Sequence, residues 1–266
     1  MTAIPRPRRY IRPGHGATKV ILRVGILLAI LSLWQLAGND KIRLGMPTFT
    51  GTVAALVDMV TDGTLLDALW ITNQAMIVGY FLAIAVSLPL GIAMGSSPAV
   101  ERIAQPYLMI LLAAPMIALV PVVQAAFGLT FVARVAVIFL FSFIYMTVNT
   151  MVGVRTVDHH LKEMARSFLA SPLQRMRYVI LPAAVPGIMA GVRLGLGRAM
   201  IGMVVAELSL IGAGVGSLIL DYQVRFQPAY VFAIVLVVIL EGVVLMEIAR
   251  RLESRLSQWK GSVGVE

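Results

Sequence analysis

Six stretches of this chain are apolar for about 20 residues each, the length at which an α-helix crosses a bilayer. They lie near Val20–Ala37, Ile71–Met94, Ile103–Phe127, Val132–Met151, Pro186–Ile211 and Ala229–Ala249. Backbone polar groups have no water to bond inside a bilayer, so such stretches form helices that satisfy their own backbone. The expected fold class is therefore an all-α membrane protein with six transmembrane helices. The remaining composition agrees: 59% of the 266 residues are hydrophobic and 13% charged, against roughly 25% charged in a soluble domain. Disorder is excluded by the same figures. The third stretch is interrupted by Pro106, Pro115 and Pro121, which a membrane helix tolerates where neighbours or water take up the freed carbonyls. The first is read as an uncleaved helix, because Gln35-Leu36-Ala37-Gly38 matches a signal-peptide cleavage site poorly.

The net charge of +9 would suggest nucleic acid in a soluble protein. Position gives it another meaning. Sixteen cations fall on one side of the six spans: Arg6, Arg8, Arg9, Arg12, Lys19, Arg23, Arg102, Arg155, Lys162, Arg166, Arg175, Arg177, Arg250, Arg251, Arg255 and Lys260. Lys41, Arg43, Arg134 and Arg225 fall on the other, and Arg193 and Arg198 sit in the first half of the fifth span. The positive-inside rule then puts both termini in the cytoplasm, and no nucleic-acid partner is needed. Residues 1–19 read as a basic cytoplasmic tail beside anionic lipids, 20–250 as the transmembrane domain and 251–266 as a second cytoplasmic tail. Leu44–Leu69 is expected outside, holding a short helix near the membrane surface. There is no cysteine, and His15, His159 and His160 lie in basic or loop segments, so neither thiol chemistry nor a metal site is expected.

The one long cytoplasmic loop, residues 155–184, is patterned. Leu161, Met164, Ala165, Phe168 and Leu169 recur at helical spacing and form one apolar face. Ser171-Pro172-Leu173-Gln174 then reads as a capping box with proline in the first turn. A second short helix should follow and end before Pro182. The apolar face needs a cover, which is either lipid headgroups or a groove on another protein.

These residues carry a resemblance. Glu163-Met164-Ala165 followed by Ile180-Leu181-Pro182 resembles the EAA loop of permease subunits of binding-protein-dependent ATP-binding-cassette importers. Met164 stands where the family has a first alanine, and Leu169 where it usually has glycine. That glycine permits a left-handed turn between two helices. Leucine there costs about 1–2 kcal/mol if the backbone is kept, so the turn is expected to move to Ala170-Ser171 or the first helix to lengthen. Further stretches, Ala114-Pro115…Pro121…Ala126-Phe127-Gly128, Asn149-Thr150…Gly153 and Gly191-Val192-Arg193…Ala206-Glu207, resemble the nitrate, sulfonate and taurine group. The resemblance implies a type I importer permease in the bacterial inner membrane, lining the path for a small solute such as a sulfonate or nitrate. It implies cytoplasmic ATPase subunits that use ATP and Mg, a second permease subunit, most simply another copy, and an external solute-binding protein. The chain has no phosphate-binding loop of its own and is expected to be non-catalytic. Within the loop the resemblance makes Glu163, Met164, Ala165, Phe168, Leu169, Ile180, Leu181 and Pro182 the ATPase-coupling residues.

Charges inside spans are rare and default to function. Glu207 is placed near the translocation path together with Pro115 and Pro121, the other reading being a carboxyl bonded to a neighbouring helix. Arg193 and Arg198 either attract an anion there or snorkel to the interface. Glu241 reads as structural, although Glu207 and Glu241 together would serve a proton-coupled secondary carrier, the alternative function. Gly187, Gly191 and Gly195 repeat at four-residue spacing and suit close packing against another subunit.

Overall fold

The computed structural model describes residues 15–39, 45–209 and 212–256. The basic tail through residue 14, Lys41, Arg43, Leu44, Ile211 and residues 257–266 lie outside the described residues. The elements in chain order are α1 (His15–Gly38), α2 (Phe49–Thr61), α3 (Thr64–Ser96), α4 (Pro98–Ala113), α5 (Val120–Phe127), α6 (Phe131–Arg155), α7 (His159–Ser167), α8 (Pro172–Arg175), α9 (Leu181–Ser209), α10 (Val215–Val224) and α11 (Pro228–Leu256). Among the described residues there is no strand. Five helices are long and apolar enough to span a membrane: α1, α3, α6, the continuous run Pro172–Ser209 and α11.

The third expected span is not a straight helix. α4 and the segment Met116–Phe127 meet at 97°. Ala114 precedes Pro115 and is extended (φ −68°, ψ 135°), as the proline ring requires of its predecessor. A 3-10 turn (Met116–Leu119) then leads into α5, with Pro121 in its first turn. The pair counts as a sixth span only if the bend is taken as one crossing.

α6 is the central helix, with half of its length buried. Glycines on both neighbours make that possible. A Cβ on Gly79, Gly91 or Gly95 of α3 would press into Ile138, Thr150 or Val154 of α6. On α9, a Cβ on Gly187 would stand 2.5 Å from Gly153 Cα, and one on Gly195 would stand 2.5 Å from Met146 Cε. The repeat of Gly187, Gly191 and Gly195 therefore serves packing within the chain, against α6, and not against another subunit. Small residues let the helix axes approach and the larger side chains interdigitate beside them.

The helix leading into α9 does not stop before Pro182. It runs from Pro172 to Ser209 through a π turn at Met176–Ile180, where Leu181 N–H bonds the Met176 carbonyl. In a regular α turn the Pro182 ring would meet the Tyr178 carbonyl, and the wider π turn relieves this. α11 likewise continues to Leu256, so the start of the expected C-terminal tail is helical.

The C-terminal ends of α3, α6 and α11 gather at one end of the bundle with α7 and α8. At the opposite end, α2, α10 and the starts of α3 and α11 pack around Ala55, Met59, Leu65, Val215 and Ile234. The expected short helix in Leu44–Leu69 is α2, capped by Thr48, whose hydroxyl accepts from Gly51 N–H. Trp34 of α1 donates to the Pro47 carbonyl at 3.0 Å and fixes α1 to that end. Arg155 of α6 pairs with Glu101 of α4 at the α7–α8 end.

Candidate functional site

The α7–α8 loop is built by its caps. Asp158 accepts from His160 N–H at 2.9 Å and starts α7. The expected capping box is present, with Gln174 N–H donating to Ser171 Oγ (3.3 Å) and Ser171 N–H donating to Gln174 Oε1 (2.8 Å). Between them the turn has not moved. Leu169 holds φ +54°, with Ala170 N–H bonding the Ala165 carbonyl and Leu169 N–H the Arg166 carbonyl. That pair of bonds is a Schellman turn, with Leu169 in the left-handed position that glycine normally fills. The strain of about 1–2 kcal/mol is therefore retained rather than avoided.

The expected coupling residues separate into two groups. Ala165 is buried, and Ile180 and Leu181 pack on Val154, Val157, Ala184 and Ile188, so they anchor the loop to α6 and α9. Phe168 (80% exposed) and Leu169 (92%) project from the tip, with Met164 half-exposed beside them. Glu163 is exposed and lies 3.3 Å from His159 Nδ1. Pro182 is exposed and borders a cleft of about 730 Å³ that Asp158, Leu161, Tyr178, Gly187 and Leu256 also line.

The intramembrane charges also part company. Arg193 is paired, its Nε 2.7 Å from Glu253 Oε2 of α11. Arg198 stands over Tyr145 of α6, Cζ to ring centroid 3.9 Å. Glu241 faces Asn73 of α3. Pro115 and Pro121 are exposed and shape the bend, as described above.

Glu207 is 2% exposed, so in this conformation it faces protein and not an open path. Its Oε2 accepts from Thr72 Oγ1 (2.9 Å) and from Gly216 N–H (3.0 Å), while Thr72 Oγ1 accepts from Val215 N–H (2.9 Å). Arg134 Nη1 approaches Oε1 at 3.7 Å. The carboxylate and the threonine thus cap the first two amides of α10, orphan donors that also favour negative charge. Gly214, at φ +90°, and Gly216 are glycines for a steric reason, since a Cβ on either would collide with Glu207. A proton-coupled carrier would need this carboxyl open to water. The sequence carries no pattern that singles out Thr72 or Arg134 for this role, and α10 is a short helix between the fifth and sixth apolar runs. The only signal was the Gly214-Val215-Gly216 spacing after Glu207.

The capped two-helix loop lies between two membrane helices, α6 and α9, where the EAA-type pattern places it. The sequence matches the family of binding-protein-dependent transport system inner membrane components over residues 87–258. The chain belongs to that family. The permease is 34% identical over 253 residues to SsuC of Bacillus subtilis (strain 168), a permease protein named for aliphatic sulfonates transport, covering 94% of this chain and 91% of the relative. It is 28% identical over 254 residues to the taurine transport system permease protein TauC of Escherichia coli (strain K12), covering 92% of each chain. Its fold resembles a chain of the MetNI methionine ABC transporter in an inward-facing conformation, with TM-score 0.65, 16% identity, and coverage of 73% of this chain and 96% of that one. The permease is thus a membrane subunit of an ATP-driven importer of the sulfonate, taurine and nitrate group, with the type I importer fold.

Proposed function

We propose that this permease carries a small oxyanion, a sulfonate or a chemically similar monoanion, inward across the membrane. Both termini and the α7–α8 loop face the cytoplasm, where separate ATPase subunits bind ATP and Mg and dock on the loop. Two copies of the permease flank the path, and an external binding protein delivers the solute at the α2–α10 end. The names of the relatives support the anion class, and the cation distribution in the sequence supports the orientation.

One observation carries the coupling part. Phe168 and Leu169 are apolar, nearly fully exposed, and held at the tip by caps on both flanking helices and by a strained backbone. A strained, solvent-exposed apolar residue persists where the surroundings fix it for use. Its use here is to fill a groove on the ATPase, so that closure of the ATPase pair pulls α7 and, through Ile180 and Leu181, the ends of α6 and α9. The ligand on the partner thereby biases a two-state membrane bundle. The test is Phe168→Asp. ATP-driven uptake should be abolished while membrane insertion is unchanged. Normal uptake by a mutant that still binds its ATPase would overturn the docking assignment.

A further inference from the structure

Among the described residues, Arg198 is a cation deep inside a membrane helix with no acidic side chain within ion-pair distance. Among the described residues, Arg193 pairs with Glu253 and Arg134 approaches Glu207, whereas no ion pair involves Arg198. It lies deep in α9, roughly 25 Å from the start of that helix and 16 Å from its end at about 1.5 Å per residue. A side chain so placed does not snorkel to either interface, and a charge at that depth belongs to a water-filled cavity or to protein, not to lipid.

Its surroundings define a half-built site. Gly195 and Gly202, on the turns before and after Arg198, press against Met146 and Phe141 of α6. Leu194 and Ile201, turned the other way, are 41% and 49% exposed. Arg198 therefore stands at the edge of the α6–α9 seam, where the packed face meets the open one. Toward the α10 end the seam is closed by Val120, Val123, Phe141 and Ala206. Below this plug, Arg198 stands over the Tyr145 ring, Cζ 3.9 Å from the centroid. The contact holds the guanidinium against the ring and desolvates the side that meets it. Among the described residues no hydrogen bond takes up its N–H edges, and these form the planar fork that bonds two oxygens of one anion.

We infer that Arg198, oriented by Tyr145, is the transit site for the oxyanion, contacting it through the guanidinium edge just inside the Val120–Phe141 plug. The inference rests on the anion reading above and adds where the charge is met. The site has one cation and is half-open. It stabilises an anion at mid-membrane depth without holding it, as conduction requires.

The test uses the complete permease–ATPase complex with its binding protein in proteoliposomes. The probes are ³⁵S-methanesulfonate and nitrate, with ATP hydrolysis and complex assembly followed in parallel. Arg198→Gln should lower uptake roughly tenfold or more, with assembly intact and ATP hydrolysis within about twofold of wild type. Arg198→Lys, which keeps charge without the fork, should fall between. Tyr145→Phe should keep the contact and most of the uptake, and Tyr145→Leu should approach the Arg198→Gln rate. If Arg198→Gln imports either anion as fast as wild type, the site is wrong while the anion reading stands. If Arg198→Gln fails to assemble and Arg198→Lys assembles with full uptake, the residue is an interface charge and the site is also wrong. A wild-type complex that imports neither probe overturns the anion reading and the site together.

Discussion

Leu169→Gly should make the loop more stable and the transporter worse. Leucine at φ +54° carries about 1–2 kcal/mol that glycine would not. Glycine gives back about 0.4–1 kcal/mol through its freer unfolded chain. No packing is lost, because the leucine side chain is 92% exposed. The net gain is about 1 kcal/mol, or about fivefold in the local opening equilibrium read by amide exchange. The amides to follow are Leu169 and Ala170, which bond the Arg166 and Ala165 carbonyls. In hydrogen exchange on the detergent-solubilised permease without ATPase, both should exchange about fivefold more slowly in the variant. With ATPase present the sign reverses. A leucine buried in a groove contributes about 1.5–3 kcal/mol, so the variant should bind its ATPase about tenfold or more weakly. Faster exchange at Ala170 in the free variant would refute the strain argument. Unchanged ATPase affinity would refute the use assigned to the strain.

Other consequences follow from the packing. Glu207→Ala strands the Thr72 hydroxyl and the Gly216 amide in a buried site and should cost about 3 kcal/mol. Glu207→Gln keeps an acceptor and should cost less than half as much, with exchange at the Val215 and Gly216 amides reporting both. Equal exchange in wild type and alanine variant would remove the cap. Gly187→Val places a side chain where a Cβ is already 2.5 Å from Gly153 Cα and should cost about 1–3 kcal/mol through overpacking, read as a lower unfolding temperature of the detergent-solubilised protein. An unchanged unfolding temperature would contradict backbone contact between α6 and α9.

What the sequence disclosed and what it withheld divide along physical lines. Long apolar runs announce helices by length alone, and α1, α3, α6, α9 and α11 appear where those runs lie. The capping box at Ser171 and Gln174 is local chemistry, legible within four residues. Leu169 was legible as a problem, but its solution was not. Whether a strained residue moves the turn or bears the strain depends on how firmly both flanking helices are capped. The bend after α4 could be suspected from Pro115 and Pro121, though its angle is set by packing of α5 on α6. The partners of Glu207 were not legible, because Thr72 and the α10 amides come from separate elements. Thr72 stands 135 positions away in the chain. The glycines of α9 showed that something comes close, and only the fold tells that it is α6.

The account turns on the tip of the α7–α8 loop lying against the ATPase. The chain contains no cysteine, so Phe168→Cys gives a single reactive thiol at that tip. Maleimide labelling of this variant in membranes, with and without its ATPase subunits, reads the contact directly. The account predicts rapid labelling in the free permease and strong protection in the complex, with a cysteine in place of Phe226, 91% exposed after α10 at the opposite end of the bundle, labelling alike in both states. Equal labelling of Phe168→Cys with and without bound ATPase would contradict it.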